Sequence, residues 1–354
     1  MPEFTITKSF SIFFIFISPL LLFSLRTLTI NNFGSQFSML CKMNKKTFIQ
    51  VLIGAGILAL LFYEVDIHTV VEAIRGLNLI LFGCAALAYL CYNLLMSYRL
   101  FYLLGKIGTH VSFYHSLFAH LAGMIASDVT PGRAGFFLVP YFLKNRANCS
   151  ISEGMAAILA PQGIEFILKV LGGFSGLLFF IAVISIDISR NMLVALCVGG
   201  IIFLGAGTAM LWVLWSGESR SYQILRRIPY IKRFEEEYTK LKEKSFSLRG
   251  SLYVILLIYL VCWFLLALQW QLIGLALGIT KLNLLAYFLL HPLITILRFV
   301  PVTVSGLGLM EGATAVMFFL LGVPHGISIG FTFSLLVRLN MIIVDSIGLR
   351  GVFS

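Results

Sequence analysis

Two segments of the chain combine proline, glycine and charged residues inside otherwise apolar sequence. Residues 128–135 read DVTPGRAG, and residues 301–312 read PVTVSGLGLMEG. Proline and glycine interrupt a helix and free backbone N–H groups, and helix N-termini and arginine both favour phosphate. The sequence therefore predicts a site for an anionic, phosphate-bearing headgroup, built from both segments and from nearby charged residues. The candidate substrate-binding residues are Asp128, Thr130, Pro131, Gly132, Arg133, Gly135, Glu165, Arg298, Ser305, Gly306, Gly308 and Glu311.

Several of these charged residues also have a purely structural interpretation. Asp128 can cap a helix that follows it, and Arg133 can extend to the membrane interface. Glu165 and Lys169 are four residues apart and can neutralise each other on one helix face. Glu311, directly after a glycine-rich turn, is the hardest to explain in this way.

Motifs for metal binding or catalysis are absent from the sequence. Its cysteines form no C-x-x-C pair, and its histidines form no H-x-x-x-H or H-E-x-x-H motif. A P-loop and a G-x-S-x-G elbow are also missing. We therefore expect no metal, no cofactor and no catalytic residue, and a transporter is favoured over an enzyme.

The composition places these segments in a membrane. Of 354 residues, 59% are hydrophobic and 12% are charged, whereas soluble domains average about 45–50% apolar and about 25% charged residues. The apolar runs are too long for an outer-membrane barrel, so the predicted fold is an all-α polytopic membrane protein. At about 20 residues per span, we expect about six to eight transmembrane helices plus two interrupted or re-entrant hairpins. Lysine and arginine in cytoplasmic loops account for the net charge of +11, so nucleic acid is not an expected partner.

The apolar runs divide the chain into a short N-terminal part and one long membrane domain. Residues 1–42 hold either an extra helix or an over-extended start, because Met43 opens an MNKK sequence typical of a membrane-protein start. Residues 43–354 are expected to form a single integral membrane domain. Its one long polar loop, residues 216–250, is basic and is expected to carry an amphipathic helix.

Two apolar stretches, 112–143 and 282–322, are broken by proline, glycine and charge. Each lies between two spans, and short sequence matches between them predict an internal repeat. The run 152–186 is longer than one span requires, so we expect it to break or tilt near Pro161.

The distribution of charge predicts the orientation of these elements in the cytoplasmic membrane. Lysine and arginine favour the inside, so residues 216–250 are placed in the cytoplasm and the acidic loop 64–76 outside. The stretch 112–143 must then enter and leave on the cytoplasmic side, and 282–322 on the outer side. Such an inverted-topology repeat is a transporter plan with its substrate site near the bilayer midplane.

The two interrupted stretches resemble a known family. SDVTPGRAG at 127–135, followed by YFLK at 141–144, resembles the N-x-x-T-P-G-R-x-G-E-x-x-R segment of the lysylphosphatidylglycerol synthase transmembrane-region (flippase-like) family. PVTVSGLGLMEG at 301–312 resembles that family's P-x-S-x-G-G-x-G-x-x-E segment. The resemblance covers roughly residues 43–350.

The resemblance implies an interrupted-helix membrane protein that acts on lipids. We expect a stand-alone member without the soluble aminoacyl transferase domain, working as a flippase or transporter of a phospholipid or lipid-linked glycolipid. The alternative is a membrane enzyme or accessory factor in polyprenyl-phosphate or glycolipid biosynthesis, and a glycosyl or lipid transferase is a candidate partner. The family's glutamate and second arginine are replaced here by Phe136 and by Val139 or Pro140, which affects the expected substrate more than the fold.

Overall fold

The computed structural model describes residues 45–184, 190–216 and 235–349. The N-terminal segment 1–42 and residues 217–234 of the basic loop lie outside the described residues. The helices of the described residues are α1 (Lys45–Glu64), α2 (Ile67–Arg75), α3 (Leu79–Ile107), α4 (Phe113–Asp128), α5 (Val139–Ala147), α6 (Ile151–Ile184), α7 (Arg190–Trp215), α8 (Glu235–Ser247), α9 (Leu252–Ala276), α10 (Leu284–Thr295), α11 (Leu309–Leu320) and α12 (Gly326–Asp345). Short 3₁₀ turns occupy Ala134–Leu138, Leu248–Ser251, Ile296–Phe299 and Ser346–Gly348.

The predicted all-α polytopic membrane fold is confirmed. Within the described residues, five helices are long and apolar enough to cross a membrane, or six if the bent pair α1 and α2 is one span. The expected number was about six to eight transmembrane helices, and the structure reaches six only when the bent pair is counted as one span. The segment after α1, expected to be an acidic loop, instead forms α2, whose first turn is capped by the Asp66 side chain accepting the His68 N–H.

Two halves of the chain repeat the same order of elements. A long helix (α3 or α9) is followed by a helical hairpin and then by another long helix (α6 or α12). The first hairpin comprises α4 and α5, and the second hairpin comprises α10 and α11. The helix before each hairpin ends at a glycine of positive φ, Gly108 at 89° and Gly278 at 77°. A side-chain cap then starts each hairpin, Ser112 in the first and Asn283 in the second.

The corresponding helices α3 and α9 run antiparallel. At one end, the Asn78 N–H donates to the Ala276 carbonyl at 3.0 Å. At the other end, Lys244 Nζ, which precedes α9, donates to the Ile107 carbonyl at 3.2 Å. The first residue of one helix therefore lies beside the last residue of the other, as an inverted repeat requires.

The hairpins enter the fold from opposite ends. The first follows Ile107 and leads into α6, where Glu153 pairs at 3.5 Å with Lys244, the lysine bonded to Ile107. The second is closed at its base by Lys281 Nζ, which donates to the Gly322 carbonyl at 2.7 Å. That base lies at the end of α9 that meets Asn78. Both hairpins are therefore re-entrant, one from each side of the protein.

Of the two alternatives expected for the long run near Pro161, a break and a tilt, the break is wrong. Helix α6 continues for 34 residues with Pro161 inside it, a length of about 51 Å at 1.5 Å per residue. Neighbouring helices can hold a proline-containing span in place. Helix α9 contacts α6 at this point, where the Tyr259 hydroxyl donates to the Pro161 carbonyl at 2.9 Å.

Candidate functional site

The tips of the two hairpins touch each other through their backbones. Pro131 and Val304 form an antiparallel bridge, and the Ser305 N–H donates to the Thr130 carbonyl at 3.3 Å. Two breaks about 170 residues apart in sequence therefore meet inside the protein.

Both breaks turn sharply through left-handed backbone conformations. Gly132 and Arg133 each have φ of 58° in the first break, and Ser305 and Gly306 have φ of 46° and 70° in the second. Glycine adopts such angles without steric cost, whereas arginine and serine do not. A Cβ added at Gly132 would lie 3.3 Å from the Phe299 carbonyl oxygen, so glycine is also needed for the close approach.

A buried ion pair ties the first break to the second hairpin. Arg298 NH2 lies 2.5 Å from Asp128 Oδ1, with side-chain exposures of 5% and 11%. The same nitrogen lies 3.4 Å from the Ser305 hydroxyl. Asp128 is the last residue of α4 and caps no following helix, so its structural interpretation as a cap is wrong.

Glu311 occupies the N-terminus of α11. Its Oε2 accepts the Gly308 N–H at 2.7 Å, and its Oε1 accepts from Arg338 Nε of α12 at 3.0 Å. In the first break, Thr130 Oγ1 similarly accepts the Gly135 N–H at 2.7 Å. Two of the N–H groups at the breaks, those of Gly135 and Gly308, are thus bonded to side chains of the same segments.

The breaks form one side of a partly open cavity, in which the centres of water-sized molecules can occupy about 70 Å³. Three of the predicted candidates, Arg133, Glu165 and Arg298, are on its wall. Most of the other lining residues come from α3, α6, α9, α10 and α12. The remaining candidates are not on this wall and instead build the two breaks: Asp128, Thr130, Pro131, Gly132, Gly135, Ser305, Gly306, Gly308 and Glu311.

Positive side chains dominate the charge on the cavity wall. Lys169, which is also on the wall, pairs with Glu165 at 3.2 Å. Arg133 donates to the Ser127 hydroxyl at 3.0 Å and contacts Met124 Sδ, and it forms no ion pair among the residues that the structure describes. Lys169 lies within electrostatic range of both Arg133 and Arg298. Three cations therefore face one space, and two of them, Lys169 and Arg298, are each paired with a carboxylate.

The least buried part of the cavity wall, which we call the mouth of the cavity, is formed mainly by helices α6 and α9. The half-buried lining residues are Arg133, Glu165, Leu168, Lys169, Trp263 and Leu266, whereas most of the others are buried. The edge of the mouth thus combines apolar side chains with an ion pair. Deeper inside, Gln269 Oε1 and Arg298 Nε are buried and have no hydrogen-bond partner within the described part of the chain.

The sequence model described as the Lysylphosphatidylglycerol synthase TM region matches residues 47–347. The chain belongs to this family. No curated protein and no solved structure gives a significant match. Membership of the family indicates a multi-pass membrane protein whose function is connected with membrane lipids.

Two positions at which the sequence departs from the family's motif are used for packing. Phe136 lies edge-on to the ring of His120, with centroids 5.5 Å apart. Pro140 is buried and lies against Gly154 of α6, where an added Cβ would be 2.7 Å from the proline Cβ. Neither side chain is on the cavity wall.

Sequence reasoning missed most of the uncharged cavity wall. Tyr89, Tyr92, Tyr259 and Trp270 line it, but tyrosine and tryptophan in a membrane protein are equally typical of the interface belt. The sequence could have indicated Lys169 as a site residue, because it follows Glu165 by one helical turn inside an apolar run. Within the described residues, no three potential metal ligands lie close enough together to hold an ion.

Proposed function

We propose that this protein moves a phospholipid or lipid-linked glycolipid across the cytoplasmic membrane, with the anionic headgroup held in the cavity. The observation that carries the proposal is the excess of positive charge where two opposed re-entrant hairpins meet. Arg133, Lys169 and Arg298 face the cavity, and Glu165 and Asp128 offset two of these charges. One positive charge is left over, and Arg99, behind Tyr259, adds a further one.

An anion inside the cavity would relieve this imbalance. Arg133 is the best placed cation, because its described contacts are a hydroxyl and a thioether. Hydrogen bonds between arginine and phosphate are charge-assisted and stronger than neutral ones. The free Arg298 Nε and Gln269 Oε1 offer one more donor and one acceptor for the headgroup.

The mouth of the cavity favours a lipid over a small water-soluble anion. Leu168, Trp263 and Leu266 flank it, and these side chains suit acyl chains. Glu165 and Lys169, side by side at the same edge, suit the polar region of a lipid. A headgroup could therefore lie inside while its chains remain between helices and in the bilayer.

The carboxylates that an enzyme would need are engaged elsewhere. Asp128, Glu165 and Glu311 pair respectively with Arg298, Lys169 and Arg338. A general acid or base must be free to exchange a proton with substrate, and a salt-bridged carboxylate is poorly suited to that role. This arrangement supports transport rather than chemistry on the lipid.

The proposal includes an orientation and a partner. The basic loop 216–250 faces the cytoplasm, and a glycosyl or lipid transferase that makes or uses the transported lipid acts beside this protein. Single cysteines at positions 70 and 240, introduced into a cysteine-free variant, should be labelled from outside and inside respectively. Labelling of both positions from one side would contradict the orientation.

Transport can be measured with purified protein in phosphatidylcholine vesicles. The vesicles contain a trace of phosphatidylglycerol or phosphatidylcholine that carries a fluorophore on its acyl chain, and a membrane-impermeant reductant destroys the label in the outer leaflet only. Protein-containing vesicles should expose inner-leaflet phosphatidylglycerol to the reductant much faster than phosphatidylcholine, and without chemical change in the lipid. Equal rates for protein-containing and empty vesicles would refute the proposal.

Variants connect the activity to the cavity. Arg133→Ala should slow movement of labelled phosphatidylglycerol by about 10- to 100-fold, the loss expected for one charged hydrogen bond of about 1.5–3 kcal/mol. Arg75→Ala is the matched control, because Arg75 is exposed on α2, away from the cavity wall. If both variants transport like wild type, the headgroup does not bind at Arg133.

A further inference from the structure

Asp345, the last residue of α12, is an ionisable residue in the interior of the protein. It has no role in the proposed headgroup site. It is fully buried, at 0% exposure. Its Oδ2 accepts from the Tyr89 hydroxyl at 2.9 Å, and its Oδ1 accepts from Asn93 Nδ2 at 3.2 Å. Asn93 is the midpoint of α3 (Leu79–Ile107), so the carboxyl group lies deep in the membrane-spanning region.

The carboxyl group has neutral partners only. Within the part of the chain that the structure describes, Tyr89 and Asn93 supply its hydrogen bonds, and it forms no ion pair. This sets it apart from Asp128, Glu165 and Glu311, each of which has a cation partner. An ionised carboxylate buried without a counter-charge is costly, and such a group binds a proton instead.

Charged and titratable groups surround Asp345 on several elements. Asp128, Arg133 and Arg298 at the two breaks act on it electrostatically, together with Tyr89 on α3. His120 on α4 reaches it through Asn93, whose Oδ1 lies 3.2 Å from His120 Nε2. The negative charge of Asp128 opposes ionisation of Asp345, whereas the two arginines favour it.

Arg298 is placed to respond to the charge on Asp345. Its NH2 group pairs with Asp128, while its NH1 group lies 3.6 Å from the sulfur of Met341. Met341 is four residues before Asp345 on α12, one helical turn away. The guanidinium group thus contacts both Asp128 and the helical turn that precedes Asp345.

We propose that Asp345 is a proton-binding residue that couples lipid movement to the proton gradient. The inference rests on the proposed function, since it concerns the energy source of that same transport. In the proposed resting state Asp345 is protonated and its O–H donates to the Tyr89 oxygen across the same 2.9 Å contact, with the Tyr89 hydroxyl hydrogen turned away, while Arg298 is bound to Asp128. Loss of the proton makes Asp345 a carboxylate, which draws Arg298 away from Asp128 and opens the contact between the hairpins.

The proton has a route to the cavity. A phenol hydroxyl can accept as well as donate a hydrogen bond, and Tyr89 is on the cavity wall. The O–H bond of the Asp345 carboxylic acid breaks, its electron pair stays on the carboxylate, and the Tyr89 oxygen accepts the proton while its own hydroxyl proton passes to a cavity water. When the cavity has opened to the other side of the membrane, hydronium there gives its proton to the Tyr89 oxygen and becomes water, and the Tyr89 hydroxyl proton passes to the Asp345 carboxylate.

The test measures lipid distribution under a pH difference with the membrane potential clamped. If one proton moves with each lipid, a difference of one pH unit should produce about tenfold asymmetry of labelled phosphatidylglycerol between the leaflets. A protonophore should abolish this asymmetry. Asp345→Asn retains a similar shape and should leave lipid movement insensitive to the gradient, while the exposed Glu64→Gln should behave like wild type.

The outcomes separate this inference from the proposed function. If the wild-type protein equilibrates the lipid but the pH gradient produces no asymmetry between the leaflets, the inference is wrong and the proposed function stands. The same holds if Asp345→Asn shows the same gradient-driven asymmetry as the wild type. Wild-type protein that moves no lipid overturns both. If Asp345→Asn fails to fold, infrared spectra of the wild type decide: at neutral pH a buried carboxylic-acid band should be present, and Tyr89→Phe should shift it. Absence of that band overturns the inference.

Discussion

The Glu311–Arg338 pair gives a prediction whose magnitude follows from unequal burial. Glu311 is 0% exposed at its side chain and Arg338 is 16% exposed. Arg338→Gln leaves a fully buried carboxylate without its cation, which should cost about 3–5 kcal/mol. Glu311→Gln keeps an oxygen to accept the Gly308 N–H and leaves an arginine that is partly exposed. Its cost should be about 1.5–3 kcal/mol, the value of one charged hydrogen bond.

The measurement is a double-mutant cycle. The free energy of unfolding of each purified variant is measured in detergent by thermal and denaturant unfolding. Arg338→Gln should be the less stable single variant, and the double variant should be more stable than the sum of the two losses predicts, by about 0.5–3 kcal/mol. Arg75→Gln, at an exposed arginine, controls for the loss of a positive charge. If the two single variants lose the same free energy of unfolding, the reasoning from burial is wrong. If these losses also simply add in the double variant, the pair does not hold α11 against α12.

Further predictions concern the breaks. Gly135→Ala should reduce the yield of folded protein, because an added Cβ would overlap the backbone of the Ala126 carbonyl; Gly83→Ala, where nothing lies within 4 Å, should leave the yield unchanged. Cysteines replacing Pro131 and Val304 in a cysteine-free variant should form a disulfide under mild oxidation, because bridged antiparallel neighbours have Cα atoms about 4.5–5.5 Å apart. A failure to cross-link in folded protein would mean that the two breaks do not meet. The cross-linked protein should also transport more slowly, since the hairpin contact could no longer open.

Local signals in the sequence were sufficient for the plan of the fold. Proline, glycine and charge inside apolar runs are recognisable without knowledge of distant contacts, and they marked both re-entrant hairpins. The distribution of lysine and arginine indicated that the two hairpins enter from opposite sides. The structure agrees, because Lys244 and Lys281 bond to backbone carbonyls at opposite ends of the protein. The meeting of the two breaks followed from that geometry.

Contacts between distant residues explain what the sequence did not predict. Arg298 and Asp128 are 170 positions apart, and nothing local indicates that they pair. A break or a tilt was expected at Pro161, but α6 continues through it without a break, and α9 contacts it there through Tyr259. Free helix N-termini were expected at the breaks, and the sequence did not predict that Glu311 and Thr130 accept two of the N–H groups there, those of Gly308 and Gly135.

The central claim, that an anionic lipid headgroup binds in the cavity, can be tested by photo-crosslinking. Wild-type protein in phosphatidylcholine vesicles is irradiated with a phosphatidylglycerol analogue that carries a photoreactive group on its headgroup, and the labelled peptides are identified by mass spectrometry. The label should attach to the cavity wall, at residues such as Tyr92, Lys169 and Trp270, and unlabelled phosphatidylglycerol should compete more strongly than phosphatidylcholine. Arg133→Ala should weaken this labelling. Labelling confined to the lipid-facing surface, unaffected by Arg133→Ala, would contradict the account.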